Sequence, residues 1–468
     1  MAEGWKPAGW KLHGDGRTPP PGEVVAPDER LTWPRTAGIG AQHVVAMFGA
    51  TFVFPLVMGL DPNLAVMMSG VATILFLLIV QGKVPSYLGT SASFVGGVFA
   101  IRAGVDSAQT DGWVTGAILV AGAVLALCGL LIHFLGQRII HQVFPPVVTG
   151  AVVMLIGFGL AFVVADTYWP QDQWVALITM TFVFLVMVLF RGFIGRIAVL
   201  LGLVLGFALS WVLDRTAGPI TSVLPGQNLR GAAGQACQPE GTYCVATAFP
   251  HDRVNLSAVE SADWFGLPSM HAPDFKLSAI LLVLPAVIAL IAENTGHVKA
   301  VGEMTGADLD PLIGRAVFAD GVGTVVTSSV GGAPTTTYAE NIGVMAATRI
   351  YSTAAYYVAA LIAILFGLCP KFGALVAATP GGVLGGVTVI LYGMIGLLGA
   401  KIWIENRVDF ADAVNTVPIG AGIILAIGPV VLEISDDFKL EGIALGTIVV
   451  LTGYHLLRQI TVRMARPA

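Results

Sequence analysis

Runs of about twenty mainly apolar residues recur along this chain, and a bilayer is the solvent in which such runs are stable. The stretch "LSAILLVLPAVIALIA", Leu277 to Ala292, holds sixteen residues without a charge before Glu293. In hydrocarbon every backbone N–H and C=O must find its partner within the protein, so runs of this length fold as helices. Of 468 residues, 56% are hydrophobic and 11% charged, with mean hydropathy +0.81. A soluble domain carries about 25% charged residues. A soluble enzyme with a greasy patch is therefore excluded, and counting domains by length does not apply. The 57 glycines suit close helix packing and interrupted helices. The net charge of −5 is spread over loops and tails, and no basic block suggests nucleic acid as a partner.

The apolar pattern predicts an all-α polytopic membrane protein with fourteen spans, near 37–59, 64–82, 87–104, 112–136, 144–165, 173–190, 195–214, 277–298, 313–330, 336–348, 351–370, 381–400, 416–433 and 440–460. With the N-terminus placed in the cytoplasm, that side holds 17 Lys and Arg residues and the other side 7, in keeping with the positive-inside rule. Residues 1–36 read as a polar, mostly irregular cytoplasmic tail that lacks the apolar core of a signal peptide. Residues 461–468 form a second cytoplasmic tail. Residues 215–276 form a long extracytoplasmic loop with Cys237 and Cys244, which are either a disulfide in an oxidising compartment or two free thiols. Cys128 and Cys369 fall in apolar runs and read as packing residues. No cluster of Cys and His makes a metal site.

The long loop separates residues 37–214 from 277–460, seven spans each. Seven is odd, so the halves are expected to be inverted relative to one another. The third segment of each half is a poor span: one opens with "YLGTSASFVGG", the other with "TTTYAENIG". A pair of interrupted segments at matching positions of two halves is the best sequence pointer to a transporter binding site. The first span opens with "AQHVVAMFG", carrying Gln42 and His43, and the eighth ends in "AENTGH", carrying Glu293 and His297. The glycines of "LGLVLG", Leu201 to Gly206, have a GxxxG spacing, which packs helices within a chain more often than between chains.

A charge at mid-membrane is costly and marks a functional hypothesis. Glu293 and His297 are four residues apart and fall on one helical face. Glu340 lies in the second interrupted segment. Each has an alternative. Glu293 could cap its span at the headgroups beside Lys299, His297 could be a packing histidine, and Glu340 could be a loop residue. Asp320, in "VFADGVGT", either pairs within the bundle or lines the path. Asp166 and Asp214 fall at span ends and read as solvated. The tripeptide Ala-Glu-Asn occurs at both 292–294 and 339–341, a repeat taken as coincidence apart from its two carboxylates. Such carboxylates bind a cation or accept N–H donors from a neutral ligand. Burial disfavours a charged carboxyl, so a proton is the expected coupling ion, with no other cofactor. Half-helix N-termini add free N–H donors. The combined site would match a small flat ring that alternates N–H and C=O.

Three of these stretches, "PSYLGTSASF", "AENTGH" and "ENIGVMAATR", resemble the nucleobase–ascorbate transporter family. That family's signature is Gln, Glu or Pro, then Asn-x-Gly, four residues, then Thr and usually a basic residue. Glu340, Asn341, Gly343, Thr348 and Arg349 fill it. "AQHVVAMFGAT" is similar to the family's Gln-His motif. The resemblance covers roughly residues 35–460, and "VVAPDERL" and "MGLDPNL" look most like bacterial uracil and pyrimidine permeases. It implies two inverted seven-span repeats, with a core of spans one to four and eight to eleven. The gate would be spans five to seven and twelve to fourteen, and spans three and ten would each carry a short strand. It implies substrate binding by Glu293, Glu340, Tyr392, and residues near Ser91, Ala92, Phe94 and Ala339. Proton coupling would involve His297, Glu293 and Glu340, with Gln42, His43, Asn341 and Asp320 as further candidates. A homodimer is a further implication. Two positions depart from relatives: Ala92 stands where uracil permeases have Phe, and Ala339 where some have Gly.

The expected function is a proton-coupled symporter importing uracil or a related pyrimidine across the bacterial inner membrane, with both termini cytoplasmic. A xanthine or purine permease of the same family is one alternative, since Ala92 leaves more room. An anion exchanger or channel on the same fold is another, disfavoured by two carboxylates. A membrane enzyme is not expected, because no nucleophile–base constellation is present.

Overall fold

The computed structural model describes residues 9–17, 19, 23–102, 107–136, 142, 144–222, 249–428, 430–435 and 438–464. Cys237 and Cys244 lie outside the described residues. The first half holds α1 (Trp33–Met58), α2 (Pro62–Ile79), β1 (Leu88–Thr90), α3 (Val95–Arg102), α4 (Ser107–Leu135), α5 (Pro146–Gly159), α6 (Gln173–Leu189) and α7 (Ala198–Thr216). The second half holds α8 (Pro285–Thr305), α9 (Ile313–Ser328), β2 (Thr335–Thr337), α10 (Ala339–Thr348), α11 (Thr353–Gly367), α12 (Gly381–Glu405), α13 (Ala413–Ile427) and α14 (Gly442–Met464). A short helix, Leu277–Val283, leads into α8.

Helix is present in every one of the fourteen apolar segments. Full crossing length is not. Among the described residues eight stretches are long and apolar enough to cross a membrane, and α11 with the helix Pro370–Ala377, bent by 83°, makes a ninth. Local chemistry sets several ends. At α2, Pro62 occupies the first turn and the Asp61 side chain accepts from Asn63 N (2.8 Å) and Leu64 N (3.2 Å). This is the expected start for "LDPNL". α1 stops at Gly59, whose φ of 68° is the left-handed conformation that glycine adopts freely.

The packing repeats under a shift of seven helices. α2 packs on α11, and α9 on α4; α6 packs on α7 and α12, and α13 on α14 and α5. α1 meets α2 and α11, while α8 meets α9 and α4. Each pairing in one half has its counterpart with the other half. This is the inverted repeat, visible in contacts. The helices fall into two groups, and the buried side chains form two apolar clusters that meet at α8 and α12: Leu384, Val387, Leu391 and Tyr392 of α12 join the larger, and Ile288 and Ala289 of α8 the smaller. The larger core is built on α1, α2, α4, α8, α9 and α11, through side chains such as Met47, Phe76, Ile118, Leu290, Val317 and Tyr356. The smaller is built on α5, α12, α13 and α14, around Val148, Leu155, Trp403 and Val450. Glycines set the closest approaches: Gly122 and Gly129 of α4 lie against the backbone of Gly321 and Gly314 of α9. Gly202 and Gly206 face Val183 and Thr179 of α6, so the GxxxG pair packs within the chain. Leu127, Phe134, Val188, Leu189, Leu397 and Ile424 are exposed, as lipid-facing side chains should be.

Two polar segments are more ordered than their sequences suggest. In the N-terminal tail, Lys11–Leu12 pairs in parallel with Glu29–Arg30, and Val25 bridges to Ile350. The tail thus docks where α10 passes into α11. In the long loop, Phe249–His251 pairs antiparallel with Ile220–Ser222. Arg253 then reaches Asp172 (2.7 Å) and Asp214 (3.0 Å) at the ends of α6 and α7. Asp214 is therefore not solvated: only 11% of its side chain is exposed, and it also accepts from Val254 N at 2.9 Å. Burial works against the Arg253 charge, but the two carboxylates outweigh it and raise its pKa. Further along, Gly266 N donates to Leu368 O, His271 N to Val330 O and Asp274 N to Gly112 O, which fastens the loop to the larger helix group.

Candidate functional site

The two interrupted segments meet at the centre of the molecule. β1 and β2 pair antiparallel, with Leu88 opposite Thr337, Gly89 opposite Thr336 and Thr90 opposite Thr335, and all six residues are buried. The ladder continues through Ser91 N to Pro334 O (2.9 Å) and Tyr338 N to Tyr87 O (3.0 Å). Tyr338 locks the crossing: its hydroxyl donates to Thr90 O (2.8 Å) and accepts from Thr51 Oγ1 (3.2 Å). Gly89 is needed there, because a Cβ would collide with the Tyr338 ring.

Each strand is followed by a half-helix whose first N–H groups have no partner inside the helix. After β1, Ser91 caps a 3₁₀ turn, Ala92–Phe94, by accepting from Ser93 N at 3.2 Å. After β2, α10 starts without a side-chain cap. Ala92 is half-buried and Ala339 exposed. Phe94 has no exposed surface and packs in the larger core.

α8 runs alongside β2 and α10. Glu293 and Glu340 are both half-buried, on helices that pack against one another. Among the described residues no ion pair joins Glu293 to Lys299, which is exposed. His297 Nδ1 contacts Thr337 Oγ1 at 2.7 Å, and Thr337 Oγ1 donates to Asn294 Oδ1 at 3.2 Å. That hydroxyl has one proton, so His297 must be the donor to it, which assigns the proton to Nδ1. Asn294 Nδ2 donates to Asp320 Oδ2 at 2.7 Å. Thr335 Oγ1 lies 3.5 Å from Asp320 Oδ1 and 3.1 Å from Thr324 Oγ1. A buried chain of hydrogen bonds therefore links α9 through α8 to β2 and ends at His297. Asp320 is fully buried within it.

A second polar cluster backs α10. His43 of α1 is fully buried, and Asn341 Nδ2 donates to its carbonyl (3.0 Å) and contacts its Nδ1 (3.2 Å). The Tyr356 ring lies 4.2 Å from the His43 ring. Gln42 Oε1, Asn341 Oδ1 and the Tyr392 hydroxyl are buried without a hydrogen-bond partner. The structure thus gathers Glu293, Glu340, Ala92, Ala339 and His297 around the crossing. Asn341 and His43 support α10 from behind. Tyr392 is buried on α12, where it joins the larger apolar cluster, beside the π-helical turn Val163–Tyr168. A cavity of about 290 Å³ lies elsewhere, lined by Gln171, Asp172, Arg253 and Gly382. Its Asp172 and Arg253 are already paired with one another.

Sequence reasoning passed over Asn294, Thr335 and Thr337. The repeat of Ala-Glu-Asn was the available signal: Asn294 joins Asp320 to Thr337, and Asn341 joins α10 to α1. A threonine run beside an apolar helix was the other.

The bundle, its inverted contacts and the paired interrupted segments define a multi-pass membrane transporter. Solved structures share the fold. The transmembrane domain of a cyanobacterium bicarbonate transporter, BicA, matches with TM-score 0.56 at 14% identity, covering 90% of this chain and 96% of that one. The murine anion transporter Slc26a9, in the inward-facing state, matches with TM-score 0.63 at 10% identity, covering 93% and 70%. The sequence profile described as Permease family, that of xanthine and uracil permeases, matches residues 35–434. The chain belongs to this nucleobase–ascorbate transporter family and is a permease, not an enzyme. The pyrimidine permease RutG of Escherichia coli (strain K12) is 42% identical over 428 residues, covering 91% of this chain and 90% of that protein. The uracil permease of Bacillus caldolyticus is 34% identical over 443 residues, covering 91% and 93%.

Proposed function

We propose that this chain is a proton-coupled importer of uracil or a closely related pyrimidine base. The observation that carries the proposal is the crossing of β1 and β2. It sets free N–H groups of two half-helices beside two carboxylates, a donor and acceptor set suited to a ring that alternates C=O and N–H. The names of full-length relatives support the substrate class. Glu293 and Glu340 accept the ring N–H groups, and Ala92 and Ala339 donate backbone N–H groups to ring oxygens. Tyr392 closes the site from the facing helix group. An uncompensated carboxylate is costly to carry through the membrane interior, and a bound proton removes that cost. His297, at the end of the hydrogen-bonded chain from Asp320, holds or relays the proton. Transport moves the larger helix group against the smaller. The chain resides in the bacterial inner membrane with both termini cytoplasmic, and the protein assembles as a homodimer.

The half-buried Ala92 favours a second reading, a larger base such as xanthine. Anion exchange is disfavoured by the paired carboxylates, although fold neighbours are a bicarbonate transporter and an anion transporter. Thermal-shift measurements with uracil, thymine, xanthine and hypoxanthine, followed by uptake into proteoliposomes with external pH recorded, test the proposal. Stabilisation by uracil and alkalinisation outside on its addition are expected. Stabilisation by purines alone would move the substrate to the second reading, and uptake without proton movement would remove the coupling.

A further inference from the structure

A short helix, Phe193–Arg196, joins α6 to α7 and packs against both of them and against α10. Its last residue, Arg196, lies along α10 at Gly343: a Cβ there would stand 3.2 Å from Arg196 Cδ and Nε. The Arg196 Nη1 atom is buried and has no hydrogen-bond partner. An arginine keeps its charge in a protein, so this is a cationic donor without an acceptor.

The surrounding sequence narrows the acceptor to one residue. α6 and α7 carry no acid beyond Asp172 and Asp214, which sit at their far ends and are held by Arg253. α10 carries one acid, Glu340. It lies three positions before Gly343, on the same helical face. Arg196 sits between α6 and α7, which both pack on α12 of the smaller helix group, and Glu340 lies on α10, whose Ile342 and Met345 are in the larger core. A shift of α10 by one turn, about 5.4 Å, brings Glu340 to the level at which Gly343 now meets Arg196. One-turn ratchets of packed elements are a known mode of switching.

We propose that Arg196 is the counter-charge of Glu340 in the core position one helical turn from this one. After the base departs, Glu340 gives its proton to water on the Arg196 side, and the carboxylate pairs with the guanidinium. Gly343 leaves the clearance that lets the arginine follow α10. The proposal rests on proton-coupled base transport by this same site.

Net uptake requires that proton to leave, whereas exchange of one base for another does not. In proteoliposomes, Arg196→Gln is expected to lower net uracil uptake about tenfold while uracil counterflow stays within about twofold. Arg196→Lys is expected to restore net uptake. Equal loss of uptake and counterflow would assign Arg196 a structural role and overturn the proposal, as would unchanged net uptake in the Gln variant. Failure of the underlying function shows separately, as wild-type protein that binds no base in thermal shift.

Discussion

The two interrupted segments have the same architecture and different chemistry. β1 with α3 and β2 with α10 each form a three-residue strand and a half-helix, and they pair with one another. Yet every acid at the crossing, Glu293, Asp320 and Glu340, comes from the second half. The corresponding helices α1 and α2 and the segment of α3 supply Gln42, His43 and Ser91 instead. His43 is spent on holding α10 in place through Asn341. The difference teaches that the inverted repeat fixes where backbone donors point, while one half alone supplies the carboxylates. The first half serves as a frame.

That asymmetry makes graded predictions. Glu340→Ala or Glu293→Ala, in the second half, should lower uracil uptake by about a hundredfold or more, measured with labelled base at matched expression. Near-normal uptake would dissolve the contrast between the halves. Asp320→Ala should cost about tenfold, because Asn294 loses its buried acceptor and the order reaching His297 with it. Uptake and melting temperature together separate the loss of site order from general unfolding. In the first half, Ala92→Phe should change the apparent affinity for uracil relative to xanthine by only a few fold, in favour of the smaller base. An equal effect on both bases would show that residue 92 does not face the ligand.

The smallest effect concerns the N-terminal tail, which docks on the start of α11 and, through Trp10 and Trp33, on α1. Burial pushes the Glu29 carboxyl upward, but the Ala26 N–H and the His13 side chain outweigh this and leave it below its usual 4.5. Its contribution to docking is therefore present above pH 4.5 and fades as pH falls through the lowered value. Glu29→Gln should lower the melting temperature by about 1 °C near neutral pH, with the difference vanishing in acid. A difference that persists in acid would mean that packing, not charge, holds the tail.

Much of the fold was legible because apolar runs are summed over many residues. Helix lies in every expected segment for that reason. The poor spans were legible as exceptions to the same pattern. What stayed hidden was pairing. Nothing in "LGT" and "TTT" states that the strands lie antiparallel, since three residues give no period to read. The partnership of Asn294 with Asp320 joins residues on different helices, and only packing brings them together. Asp214 was misplaced because its partner Arg253 lies across a long loop.

That loop has a mechanical consequence. It is fixed at Val254, through Asp214, to α7, which packs on α12 of the smaller helix group, and to the larger group at Asp263, which accepts from Lys371 N. Between these points lie Asn255 to Ala262, with one helical turn, Ser257–Ser261, resting on the helix Pro370–Ala377. Any relative displacement of the groups on this face must first draw on that stretch. The molecule thus carries its own leash, whose slack is the helical turn it can unwind.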